Sequence, residues 1–206
     1  MNFPIPVFFV SSLIFVAFLA LKRNRQTQNQ NDVNISFLER ERLADNTRKK
    51  DISNLDYLGF SIERLPAARA DDKELLSIRA ALTELAGQKI INLSEYSNTD
   101  LKLMYGPANL TALSEYDDNY HRLATSLFAY ADRLVKSGQD NDAIAVLEYA
   151  MELRIQLSQI YLLLAELYVK QHTPEKIHTI QDTLSAMEGS FASHVLPKLD
   201  GLAEKP

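Results

Sequence analysis

"LFAYADRLVKSGQDNDAIAVLEYA" runs from Leu127 to Ala150. Small alanines fall at 131, 143 and 150, and large apolar residues at 127, 130, 134 and 147. Each set keeps to one face of a helix. Gly138 divides both sets and ends the first helix. The stretch therefore predicts two helices joined by a short turn. Small side chains let such helices approach closely, and larger neighbours fill the flanks. The pair is either a plain amphipathic hairpin or one unit of a stacked helical repeat.

Sliding the sequence along itself bears on that choice. When Leu127 meets Tyr161, Tyr130 meets Leu164, Ala131 meets Ala165, and Leu134 meets Tyr168. In the same alignment Lys136 meets Lys170, Ala143 meets Ile177, and Ala150 meets Leu184. "IYLLLAELYVKQHTPEKI" (160–177) carries the match most fully. A self-match at this spacing, about 34 residues, with helix–turn–helix organisation resembles the tetratricopeptide (TPR) family. The resemblance implies about two repeats over 124–190, with a small residue where helix A meets helix B, the place of Ala131 and Ala165. His172 stands where the family has a turn glycine, Gln181 is polar where helix B is apolar, and the helix-ending proline is absent from both units. The same shift back to 90–123 yields no third unit, so helices at 71–123 and 190–202 are expected to cap the array. The chain is also similar to small membrane-anchored proteins of anaerobic Gram-positive bacteria, on "TRKKDISNLDYL" (Thr47–Leu58) and "SNTDLKLMYG" (Ser97–Gly106). That likeness implies a location and no chemistry.

The whole chain reads as all-α. Helices are expected from 71 to Gly87, over 97–105, 114–137, 140–154, 158–171 and 174–187, and in a short element near 190–202. Ser97 and Asp100 have capping-box spacing, with Asp in place of Glu. Residues 51–66, "DISNLDYLGFSIERLP", place Leu55, Tyr57, Leu58, Phe60, Ile62 and Leu65 without a helical period, and predict an extended strap over the helical body. The expected organisation is an anchor at 1–22, a basic juxtamembrane segment at 23–50, a strap at 51–70, a helical cap region at 71–123, and TPR-like repeats with a C-terminal capping helix at 124–206.

The anchor is read from "FPIPVFFVSSLIFVAFLAL" (3–21), which carries no charge. As a helix it would reach roughly 28 Å, close to the hydrocarbon thickness of a bilayer. No Lys or Arg precedes it and no A-x-A-like exit follows it, which favours an uncleaved anchor over a signal peptide. "KRNR" at 22–25 places the positive flank after the span, so the N-terminus is expected outside the cell membrane and the body in the cytoplasm. Residues 22–50 hold eight basic and four acidic residues. This segment either touches anionic lipid or serves as a stop-transfer flank followed by a solvated helix.

From residue 51 onward the chain has 14 basic and 23 acidic residues, a net charge of −9. That balance argues against nucleic acid, whose binding relies on Lys and Arg. Cysteine is absent, which excludes disulfides, thiol catalysis and zinc–thiolate sites. No Gly-rich phosphate loop, H-E-x-x-H or G-x-S-x-G motif is present. Asp117 and His121, four apart, suit either a polar helix pair or, less readily, a base or metal site. No cofactor and no metal are expected.

The remaining candidate site follows from the family resemblance. In TPR arrays helix A residues line the concave groove, and the carry-over gives Phe128, Asp132 and Val135 in the first unit, then Leu162, Glu166 and Val169 in the second. Chaperone-binding members clamp a carboxylate there with Lys and Asn. Asp132 and Glu166 would repel one, so the expected ligand is an apolar peptide or helix carrying basic residues. Alternatively, these six residues pack against the strap or the terminal helix. The functional expectation is a membrane-anchored, non-enzymatic protein-interaction adaptor. A structural subunit of a larger membrane complex is the alternative, and a membrane-tethered enzyme the weakest reading.

Overall fold

The structure, a computed structural model, describes residues 36–187 and 189–203. Within them the chain forms eight α-helices, short 3-10 turns and no strand. The helices are α1 (36–45), α2 (Lys73–Leu85), α3 (Asn98–Tyr105), α4 (Leu110–Lys136), α5 (Asp140–Glu152), α6 (Ser158–Lys170), α7 (Ile177–Ser185) and α8 (Phe191–Ala203). The apolar stretch 3–21 lies outside the described residues. Among those described, no helix is long and apolar enough to cross a membrane. Two compact units emerge: residues 36–50 with Ser97–Leu110, and Asp51–Tyr96 with the chain from Thr111 onward.

The first unit is held together by polar contacts. Ser97 caps α3, its Oγ accepting from the Asp100 amide at 3.2 Å while Asp100 Oδ2 accepts from the Ser97 amide at 3.0 Å. α1 then meets α3 through charge. Arg40 pairs with Asp100 at 2.6 Å, and Lys102 reaches both Glu41 (3.1 Å) and Asp45 (2.8 Å). The Thr99 hydroxyl also donates to Glu41. Of the apolar side chains here only Ala44 and Leu101 are buried, because a pair of short helices has little core to offer. The chain after α1 is pinned by its backbone: Lys50 N–H donates to Tyr105 O (3.0 Å), and Asn109 Nδ2 donates to Lys50 O (2.8 Å). Gly106 makes this approach possible. Its φ is +87°, and a Cβ there would lie 2.6 Å from Arg48 O.

The second unit contains the apolar core. Asp72 caps α2 by accepting from the Leu75 amide at 3.0 Å, and its other oxygen accepts from Arg133 Nε at 2.8 Å. Residues 51–61 are irregular, and Ile62–Arg64 make one 3-10 turn. The segment lies across the helices. Ser61 N–H donates to the Tyr149 hydroxyl (2.8 Å), Phe60 stacks on the Tyr149 ring (6.1 Å), and Leu58 N–H donates to Ile90 O (2.8 Å). Pro66 O receives both the buried Tyr130 hydroxyl (2.8 Å) and Arg79 Nη1 (2.6 Å). α6 packs against α5, α7 and α8. Ala131, Ala143, Ala150 and Ala165 expose no surface and belong to one continuous core.

Helix ends depart from the expected limits where proline intervenes. Pro107–Asn109 form a 3-10 turn that leads directly into α4, which therefore starts at Leu110. Pro174–Lys176 form another, and α7 is left with nine residues.

The turns after α4 and α6 repeat one another, Gly138 answering to His172. Gly138 has φ +74° and His172 φ +58°. Gln139 N–H donates to Leu134 O and Gly138 N–H to Val135 O, both at 2.9 Å. Thr173 N–H donates to Tyr168 O (2.9 Å) and His172 N–H to Val169 O (3.0 Å). Each is a Schellman closure, which satisfies the last carbonyls of a helix through one left-handed residue. The turn after α5 uses the same closure at Arg154, φ +54°, with Ile155 N–H donating to Ala150 O (3.1 Å). A side chain in this conformation costs about 1 kcal/mol or more.

Three measurements test these constraints. Nothing lies within 4 Å of a Cβ built at Gly138, so Gly138→Ala should cost only the conformational term, about 1 kcal/mol, and His172→Gly should stabilise by about the same amount in urea unfolding. A destabilised His172→Gly would refute the account of that turn. Gly106→Ala should cost more, about 1–3 kcal/mol for the backbone region alone, because the backbone of Arg48 also blocks the methyl. The third concerns pH. The Thr99 hydroxyl and then Lys102 hold the Glu41 carboxyl below its ordinary range, and the Ser97 cap and then Arg40 do the same for Asp100. Carboxylates lowered by folding stabilise the fold above their unfolded values, and this support is lost as pH falls through the lowered ones. Amide protection of α1 and α3, corrected for intrinsic exchange, should therefore decline on acidification. A flat profile would show that the ion pairs do not hold this unit.

Candidate functional site

α4 and α6 are amphipathic, and their unburied residues form matching stripes. On α4 the stripe runs through Thr125, Phe128, Asp132, Val135 and Lys136; on α6 it runs through Gln159, Leu162, Glu166, Val169 and Lys170. The shift that carries Gly138 onto His172 carries each position of the first stripe onto its counterpart in the second. Thr125 and Gln159 are both exposed, as are Lys136 and Lys170. Phe128, Val135, Leu162 and Val169 are all half-buried, with their inner sides packed on the core. The structure thus brings all six groove candidates to equivalent places on two helices.

The charges differ between the two stripes. Asp132 pairs with Lys136 one turn on, at 2.6 Å. Lys170 turns away from Glu166 and pairs with Asp140 at 2.5 Å. Glu166 is exposed, and among the described residues it has no ion-pair partner. α8 also packs along α6, with the rings of Tyr161 and Phe191 5.6 Å apart.

A concavity lies at other residues than the groove candidates. A cleft of about 490 Å³ lies among α5, α6 and α7, lined in part by Glu148, Glu152, Arg154, Tyr168, Lys176 and Thr179. The buried Tyr168 hydroxyl donates to Glu148 at 2.7 Å, and Lys176 sits 5.2 Å from the Tyr168 ring centre. Burial and then the Glu148 hydrogen bond push the Tyr168 hydroxyl pKa well above its ordinary value. The tyrosine therefore remains a neutral donor at physiological pH. The sequence trace of this cleft is Glu148 and Glu152, four apart in the otherwise apolar later turns of α5. None of the six groove candidates lines it.

Asp117 and His121 lie 3.4 Å apart, with His121 largely exposed. Asp117 Oδ1 accepts from the Leu93 amide at 2.7 Å, so this carboxylate fastens the loop before α3 to α4. Among the described residues no group of three or more His, Asp or Glu side chains converges on a point. Comparisons with protein-family models, with curated proteins and with solved structures return no match to this chain.

Proposed function

We propose that the chain is a membrane-anchored, TPR-like interaction adaptor. Its apolar N-terminal stretch holds it in the membrane, and its helical body faces the cytoplasm. A peptide or helix with apolar and basic residues binds along the stripes of α4 and α6. One observation carries the reading: at the spacing that separates Gly138 from His172, the left-handed turn and the half-buried apolar positions of the stripe recur together. That period is the length of a TPR unit. It sets Asp132 and Glu166 at equivalent positions, each rimmed by two half-buried apolar side chains. Half-buried apolar surface is the kind a partner helix can finish burying, and the two acids favour a cationic register.

The alternative, a structural subunit whose repeat faces only its own neighbours, draws support from α8, which already occupies part of the surface of α6. Asp132 and Glu166 distinguish the two. Replacing both by Lys in the full-length chain leaves the buried core untouched. On the adaptor reading, crosslinking in native membranes should then lose its specific adducts. Adducts that persist unchanged would remove the groove and favour the structural subunit.

A further inference from the structure

The first unit carries an ion balance that its composition conceals. Residues 36–50 and 97–110 hold six basic and four acidic residues, which looks close to neutral. Internal pairing changes what is offered to the outside. Asp100 is taken by Arg40, and both Glu41 and Asp45 by Lys102. Four cations are left exposed and without a side-chain partner among the described residues: Arg42, Arg48, Lys49 and Lys50. Glu39 is the one acid of this unit left unpaired among those residues. The last three cations are not on a loose tail, because the Lys50 and Asn109 hydrogen bonds and the Gly106 contact hold their backbone in place.

The same unit exposes large apolar side chains. Phe37 is 58% exposed, Leu38 64% and Leu43 61%. Arg40, Glu41, Ala44 and Asp45 form the stripe of α1 that is buried or engaged in contacts with α3. Leu38 and Leu43 stand on opposite flanks of the side away from it, with Arg42 and Glu39 between them, while Phe37 stands at the N-terminal end of the stripe. Apolar residues flanked by cations are what an amphipathic helix presents to the headgroup boundary of an anionic bilayer. Chain length fits as well. Residues 22–35 separate α1 from the apolar stretch 3–21, and fourteen residues span at most about 50 Å. A tether of that length keeps α1 at high local concentration near the bilayer surface.

We infer that this unit docks on an anionic lipid surface, with Leu38 and Leu43 entering the headgroup boundary and Arg42, Arg48, Lys49 and Lys50 meeting the lipid phosphates. The inference rests on the anchor reading for its tether alone. The test uses the full-length chain, which has no native cysteine, so Leu38→Cys or Leu43→Cys gives a single nitroxide site. The label's accessibility to oxygen is compared with its accessibility to a water-soluble nickel chelate. In phosphatidylglycerol-containing vesicles the oxygen preference should rise several-fold at both positions over phosphatidylcholine vesicles. It should fall back when Arg42, Arg48, Lys49 and Lys50 are all changed to Gln. A label that stays in water in both vesicle types overturns the inference. So does an equal rise in both, or a rise that survives the four substitutions. Flotation with neutral vesicles after a high-salt wash reports the anchor separately. A chain that fails to float there refutes the anchor, while the label in anionic vesicles still decides the docking.

Discussion

The distance at which α4, α5 and α6 share a core is set by four alanines, at 131, 143, 150 and 165, none of which exposes any surface. A larger side chain at any of them would have to displace other members of the same core, whose tyrosines and leucines, such as Tyr130, Leu147 and Tyr161, are themselves fully buried. Interiors packed at crystal-like density do not yield such space cheaply. Close contact in turn requires each helix to reverse sharply. The left-handed residues at 138, 154 and 172 do this while closing the last carbonyls of the preceding helix. The stripes on α4 and α6 lie in matched register because Ala131 and Ala165, and the left-handed residues at 138 and 172, are set apart by the same spacing.

The two units are stabilised by different means. In the larger one, burial of leucine, isoleucine and tyrosine dominates, and polar contacts act at the margins: the Asp72 cap, the Tyr130 bond to Pro66, and Tyr149 holding the strap at Ser61. In the smaller one, α1 and α3 bury little beyond Ala44 and Leu101, and charge-assisted bonds take the place of a core. Contacts of that kind weaken with acid, and surface pairs weaken with salt. They also consume acids selectively, which is why the smaller unit presents cations in excess of acids.

Sequence alone was enough for the helical class, the Ser97–Asp100 cap, the stop at Gly138 and the core positions of the Leu127–Ala150 stretch. Those features are local: periodicity, capping chemistry and glycine conformation act within a few residues. The six groove candidates came from the resemblance to the TPR family, which marks positions along the chain. Tertiary structure decided the rest. The position of His172 was marked by its alignment with Gly138, but that a histidine takes the conformation of a glycine there is imposed by the reversal between α6 and α7. The lone carboxylate at Glu166 arises because Lys170 finds Asp140, on the preceding helix, instead of the acid one turn away. The pairing of α1 with α3 joins segments far apart in the chain, such as Arg40 and Asp100. Contacts at that separation leave no mark on local sequence pattern, so the cations and leucines they leave exposed emerge only once the chain is folded.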